Sequence, residues 1–269
     1  MDARTSSLPS WLRDVVASVE PAKRRVAEHE VWRRMRAGTI TRREQRNVLV
    51  GFWPLIERFP GLLALNLVKT SYGRDAGQNA ARSWLARNLR TEQKHAEWFL
   101  DWAEGCGITR DEMLDGRRPT EMTLVTDWSW RVCESGGLAE AMAATNYAIE
   151  GVTGEWTPGV AASAAYRASL VGEPRKAMRW LDAHASYDDE HPWQALAIVA
   201  QLAGPEPGPS EVRTIREAIV RSYELYALAL DAALRHAHAD GASACGAELA
   251  TGRRRADARP DDARRRLQS

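Results

Sequence analysis

The chain has little of what covalently stapled or strand-built folds require. Its cysteines number three, Cys106, Cys133 and Cys245. They form no CxxC pair, and an odd, scattered set fits a reducing compartment rather than a disulfide framework. Alternating β-branched runs are scarce, so a sheet is not expected. No uninterrupted apolar run approaches the ~18 residues that span a bilayer. Met1 to Pro9 also lacks a basic segment followed by an apolar one. These absences predict a cytoplasmic protein with no membrane span. Neither sign of charge dominates, since 37 Lys and Arg against 36 Asp and Glu leave +1. The positive excess sits at the end, where Thr251 to Ser269 carries seven Arg against three Asp. The remaining body is slightly acidic and gives no reason to expect nucleic acid as a partner.

What is present is helical signal almost throughout, and it predicts an all-α, single-domain bundle of seven or more helices over 1–240. A tail, 241–269, is read as disordered from its Arg, Ala and Asp content. The eleven tryptophans are taken as packing of a large helical interior. Pro21 is expected to open a second helix running to about Met35, closed by Ala37-Gly38. Thr41-Arg-Arg-Glu44 and Thr109-Arg-Asp-Glu112 are capping boxes. Pro54 is expected to kink its helix, and Phe59-Pro60 to break it. One long helix is predicted from about Gln78 to Gly105, another from Leu138 to about Thr153, and another from Pro174 to about Ala203, kinked at Pro192. Ser210 caps the last, to about Ala239.

Three of these helices carry chemistry. His184, Asp188 and His191 fall within roughly 60° of one another on a helical wheel. Two imidazoles and a carboxylate on one face are half of a metal site, or else a polar face with one histidine hydrogen-bonded to Asp188. Glu92 and His95, three residues apart, share the surface of the long helix, the Glu-x-x-His arrangement of di-iron carboxylate bundles. Glu150 ends a nearly uncharged segment, Ala141 to Gly151. A buried carboxylate there needs a cationic partner, either a metal or an arginine such as Arg87 or Arg179. Together these are three imidazoles and three carboxylates without a thiolate, a set that suits iron or manganese. His29 is read as structural, and His236 and His238 as exposed.

The motifs Glu92-x-x-His95, Asn146-Tyr-Ala-Ile-Glu150-Gly and His184-x3-Asp188-x2-His191-Pro-Trp193 resemble the haem-oxygenase-like di-iron oxidases. That superfamily shares its helical fold with TenA thiaminases and pyrroloquinoline-quinone synthase. The likeness is strongest to the UndA-type decarboxylases, through Lys23 to Glu30, Gly51-Phe-Trp-Pro54, Asn66 to Thr70 and Trp84 to Asn88, and covers about Pro9 to Leu234. Many superfamily members carry the first glutamate seven residues before the histidine, where this chain has Asn88. Asn88 is therefore expected to hydrogen-bond a ligand.

The resemblance implies an enzyme holding two Fe(2+) per chain through Glu92, His95, Glu150, His184, Asp188 and His191. Of these, Glu92, His95, Glu150 and His191 would be the catalytic set. With O2 and an external reductant, it would convert a medium-chain fatty acid such as lauric acid to 1-undecene and CO2. Candidates to line the alkyl tunnel are Trp53, Leu55, Ile56, Leu62, Leu65 and Tyr147. Because the three cysteines are scattered, no redox relay is expected within the chain. Relatives are often dimers, which implies a possible homodimer. The alternatives are an aminobenzoate-type oxidase that would consume a tyrosine such as Tyr187, a TenA-like thiaminase, and a regulatory helical protein.

Overall fold

The computed structural model describes residues 3–187 and 190–256, and every regular element among them is helical. In order they are α1 (Ala3–Ser6), α2 (Ser10–Ala27), α3 (Glu30–Ala37), α4 (Arg42–Val68), α5 (Ala76–Glu92), α6 (His95–Gly105), α7 (Arg110–Asp115) and α8 (Thr120–Ser135). Then come α9 (Leu138–Met142), a π-helical segment (Ala143–Ile149), α10 (Glu150–Ala161), α11 (Ala164–Ser169), α12 (Pro174–Ala177), α13 (Arg179–Tyr187), α14 (His191–Ala203) and α15 (Pro209–Ala256). The all-α reading holds. The last helix runs past Ala239 to Ala256, so 241–256 of the assigned tail begins inside it, and residues 257–269 lie outside the described residues.

The capping signals act where the sequence places them. Thr41 and Thr109 each accept from the backbone N–H of the glutamate three residues on, and that glutamate returns the bond. Gly38 ends α3 with φ of 64°, a left-handed turn that a side chain would strain. Pro21 and Pro60 behave differently from expectation. Pro21 lies inside α2, and Pro54 and Pro60 lie inside an unbroken α4. A proline removes one hydrogen bond and crowds one carbonyl. In α4 that local cost is outweighed by packing, since the helix is buried along much of its length against α5, α6, α8 and α15. α4 is also long and apolar enough to cross a membrane by length and composition, and 56% of its most apolar window is buried in the bundle.

The real break after α2 falls at Glu28-His29. His29 caps α3, its Nδ1 accepting from Val31 N–H at 3.2 Å, which leaves Nε2–H to donate to Asp231 Oδ1 at 3.1 Å. This confirms a structural role. Burial, opposed by Asp231, holds the His29 pKa below the ordinary histidine value. The folded protein therefore favours the neutral ring. Its contribution is complete above the unfolded value near 6.5 and is lost as pH falls through the lower folded value. Replacing His29 by alanine is expected to cost about 1 kcal/mol, the typical worth of an N-cap. Melting curves from pH 7 to 5 should slope less steeply for the variant than for the wild type.

The core is one continuous cluster reaching from Leu12 and Val15 to Leu230 and Ala233. α15 packs on α2, α4, α8 and the π segment, while α10 packs on α13 and α14 on the π segment. Those last contacts bring the candidate ligands together.

Candidate metal centre

The long helix expected over Gln78–Gly105 is two helices. α5 stops at Glu92 and α6 starts at His95, with a turn at Gln93-Lys94 between them. Glu92 and His95 nevertheless meet, with His95 Nδ1 lying 2.7 Å from Glu92 Oε2. The contact lacks hydrogen-bond geometry, and His95 Nδ1 is buried without a hydrogen-bond partner. A ring nitrogen and a carboxylate oxygen at that distance, not bonded to each other, are placed like two donors facing a common third atom.

The expected helix over Leu138–Thr153 is interrupted as well. Ala143–Ile149 is π-helical, and Glu150 opens α10 directly after it. Wide turns of this kind occur frequently at functional sites. Here the segment carries Asn146, fully buried, whose Nδ2 donates to Glu150 Oε2 at 3.1 Å. The other carboxylate oxygen, Oε1, lies 3.3 Å from His191 Nδ1. Glu150 is thus partnered by Asn146 and His191 rather than by Arg87 or Arg179. The amide that supports a ligand is Asn146, in the role expected of Asn88; Asn88 is buried one turn before Glu92.

His184 and His191 lie on separate helices, because α13 ends at Tyr187 and α14 begins at His191 with Pro192 in its first turn. The single helix Pro174–Ala203 is therefore three pieces. Asp188 lies outside the described residues, as does the Tyr187 side chain. His184 donates Nδ1–H to the Trp180 carbonyl at 2.8 Å, which fixes the tautomer with its lone pair on Nε2. Its ring centroid is 4.6 Å from that of His95. His236 is half-buried against Glu121, Nε2 to Oε2 3.4 Å, rather than exposed, and the His238 side chain lies outside the described residues.

The electrostatics follow from burial. Desolvation raises the Glu92 pKa, with His95 opposing it and Glu150 adding to it. Burial, and next the nearby His95, lower the His184 pKa to about 3, so this ring stays neutral, the form that ligates metals. His191, half-buried, is raised chiefly by its bond to Glu150. A ring nitrogen 2.7 Å from a carboxylate oxygen, a fixed tautomer and two buried carboxylates suit this donor set to a metal. Among the described residues the donors stand in pairs, Glu92 with His95 and Glu150 with His191. No group of three is close enough as it stands to hold one ion.

Two openings reach the donors. An apolar slot, about 610 Å³ of space between atoms with part of it open to solvent, is lined by Trp32, Val48, Phe52, Leu55, Ile56, Phe59, Phe99, Ile149, Thr153, Trp156, Trp180 and Tyr226, together with Glu92, His95, Glu150 and His184. Of the expected tunnel residues Leu55 and Ile56 line it; Trp53, Leu62, Leu65 and Tyr147 do not. A second cleft, bordered by Arg90, Thr91, Lys94 and Trp98, reaches His95, His184 and His191 from the surface. The basic border of this cleft was not anticipated from sequence. Lys94 lies in the turn that separates α5 from α6.

The same fold is found in solved structures. A TenA homolog from Pseudomonas syringae pv. tomato is 40% identical with a TM-score of 0.84, the match covering 86% of this chain and 95% of that one. A TenA homologue from Pyrococcus furiosus, 18% identical, has a TM-score of 0.65 over 83% of this chain and 99% of that one. A TenA family transcription regulator from Silicibacter, 17% identical, has a TM-score of 0.66 over 84% of this chain and 97% of that one. The latter two show the fold alone. No curated protein matches the chain. The haem-oxygenase-like family described as "Iron-containing redox enzyme" matches residues 46–227, and this protein belongs to that family.

Proposed function

We propose that the chain is an O2-dependent non-haem iron oxidase that converts a medium-chain fatty acid, such as lauric acid, to a terminal alkene and CO2. The observation that carries this reading is the placement of two buried carboxylates, Glu92 and Glu150, and two buried imidazoles, His95 and His184, at the wall of an apolar slot, with His191 3.3 Å from Glu150. Glu92, His95, Glu150, His184, Asp188 and His191 would hold two iron ions, and bound iron would supply the reduction of dioxygen. The atoms balance as one acid, one O2, two electrons and two protons giving one alkene, one CO2 and two waters. The two electrons come from an external reductant.

The chain's own residues do the rest. Val48, Phe52, Leu55, Ile56 and Phe59 offer the alkyl chain an apolar bed and exclude water around it. Asn146 holds Glu150 by its Oε2, and the Trp180 carbonyl holds the His184 ring. The basic border at Arg90 and Lys94 favours approach of the anionic head or of an anionic reductant.

A second reading, a TenA-like hydrolase acting on thiamin or a TenA-like regulator, is favoured by the 40% identical TenA homolog. Against the hydrolase, the residues lining the slot include no cysteine, serine or lysine to act as nucleophile, and the hydroxyl of Thr153 is engaged, donating to the Ile149 carbonyl at 2.8 Å. Burial keeps Cys106 and Cys133 as thiols, their pKa values raised to about 12 and about 11. The deciding experiment is metal analysis of protein grown with iron, then incubation with lauric acid, reductant and air under a sealed headspace, with thiamin assayed in parallel. About two irons per chain and 1-undecene in the gas are expected. Iron-loaded protein that releases no alkene and consumes thiamin would replace the oxidase with the hydrolase, and protein that takes up no iron and acts on neither would favour the regulator.

A further inference from the structure

The eleven tryptophans are not spread evenly through the core. Several form a connected array that begins at a candidate ligand. The His184 and Trp180 rings lie 3.8 Å apart at 30°. Trp180 stacks on Trp102 at 5.2 Å and 15°. Trp102 Nε1 donates to Tyr166 Oη at 2.7 Å, and Tyr166 Oη is 3.7 Å from Cys106 Sγ. Gln45 Nε2 ties the last two groups together, donating to Cys106 Sγ at 2.8 Å and also to Tyr166 Oη. Trp180, Trp102 and Tyr166 are at most 2% exposed, whereas Cys106 is half-buried at the end of α6. The array therefore runs from the site through the interior to a thiol near the surface.

Packing alone does not account for these side chains. Trp180 Nε1 is buried with no hydrogen-bond partner, a loss of about 1–3 kcal/mol for a polar group, which phenylalanine would avoid at the same place. A second arm, Trp180 to Trp156 to Trp32, ends inside the protein at the Val26 carbonyl. Of the two arms that leave Trp180, the one through Trp102 leads to an oxidisable group that is half-buried rather than enclosed.

We propose that Trp180, Trp102, Tyr166 and Cys106 form a one-electron relay that drains oxidising equivalents from the site when dioxygen reacts there without substrate. The proposal rests on the iron reading above. In each passage the Cys106 thiol loses one electron, which crosses Tyr166, Trp102 and Trp180 to the site, and one proton, which goes to water. One electron and one proton from an external small reductant of the ascorbate or thiol class return the thiyl to the thiol. The oxidant is the dioxygen-derived equivalent left at the site, and one such equivalent is consumed per passage. A stacked and hydrogen-bonded path protects the ligands, because oxidation ends on a replaceable hydrogen of the half-buried Cys106 instead of on His184.

Two arms test this. In the first, reduced iron-loaded wild type, Trp102→Phe and Cys106→Ala meet air with no fatty acid and no reductant, and peptides are mapped by mass spectrometry. Wild type is expected to accumulate oxidised Cys106 with Trp180 and His184 spared. In Trp102→Phe, Cys106 oxidation should fall to that of a metal-free control while oxidised Trp180 and His184 appear; Cys106→Ala should also shift damage inward. Cys106→Ala is the variant to rely on should Trp102→Phe fail to fold. Identical maps at equal iron content would overturn the relay. In the second arm, metal-free wild type and variants are oxidised at tryptophan by azide radical in pulse radiolysis. A first-order transfer from tryptophanyl to tyrosyl radical, lost in Tyr166→Phe and slowed in Trp102→Phe, supports the relay; equal kinetics in all three overturn it. Protein that binds no iron defeats the iron reading in the first arm, while the second still decides the relay.

Discussion

Replacing His191 by alanine is expected to strip iron from the protein and abolish turnover while leaving the bundle folded. His191 is the first residue of α14 and is about one-fifth exposed at its side chain, so its imidazole supports little of the core. What it touches is the site: Glu150 Oε1 at 3.3 Å and the edge of Trp84 at 6.1 Å. Loss of the ring leaves the buried Glu150 carboxylate with Asn146 alone and removes one donor from the set. Outer partners of metal ligands are typically worth 10–100-fold in affinity, so a ligand itself should be worth more than about 100-fold. Elemental analysis beside circular dichroism checks this. A variant that keeps both its iron and its rate would remove His191 from the ligand set.

The second large effect is expected at Asn146. Its amide is fully buried in the π segment and is the hydrogen-bond donor to Glu150 Oε2. Asn146→Ala takes away that donor and leaves a small void beside the carboxylate. Iron affinity or kcat is expected to fall by about 10–100-fold, the usual worth of a group that orients a ligand. Asn146→Asp should be no better than alanine, since it replaces the amide donor with a second carboxylate facing Glu150 at hydrogen-bond distance. A purely structural asparagine would behave differently: its loss would lower Tm and leave the iron content per folded chain unchanged. Measuring Tm and bound iron on the same preparations separates the two.

Both predictions depend on features that differ in how legible they were. Glu92, His95, Glu150, His184 and His191 are singled out by spacing and residue type alone, and the structure brings four of them into two close pairs and His184 against His95. The caps at Thr41, Thr109 and Gly38 were equally readable, because a cap is an interaction between neighbours in sequence. The breaks were not. Phe59-Pro60 reads as a stop and is not one, since packing on four other helices outweighs one lost hydrogen bond. Conversely, nothing local marks the turn at Gln93-Lys94 or the π segment, whose residues would form ordinary helix elsewhere.

The amino-acid sequence by itself determined the helical class, the family, and the chemical kind of donor available to the site: imidazole and carboxylate, no thiolate. Tertiary structure decided which donors meet. It pairs Glu150 with His191 instead of an arginine, gives Glu150 a supporting amide from Asn146, and sets the His184 ring against Trp180. The reason is physical. Periodicity along a chain records which face of a helix is withdrawn from water, but a distance between two side chains on different helices exists only once those helices have packed.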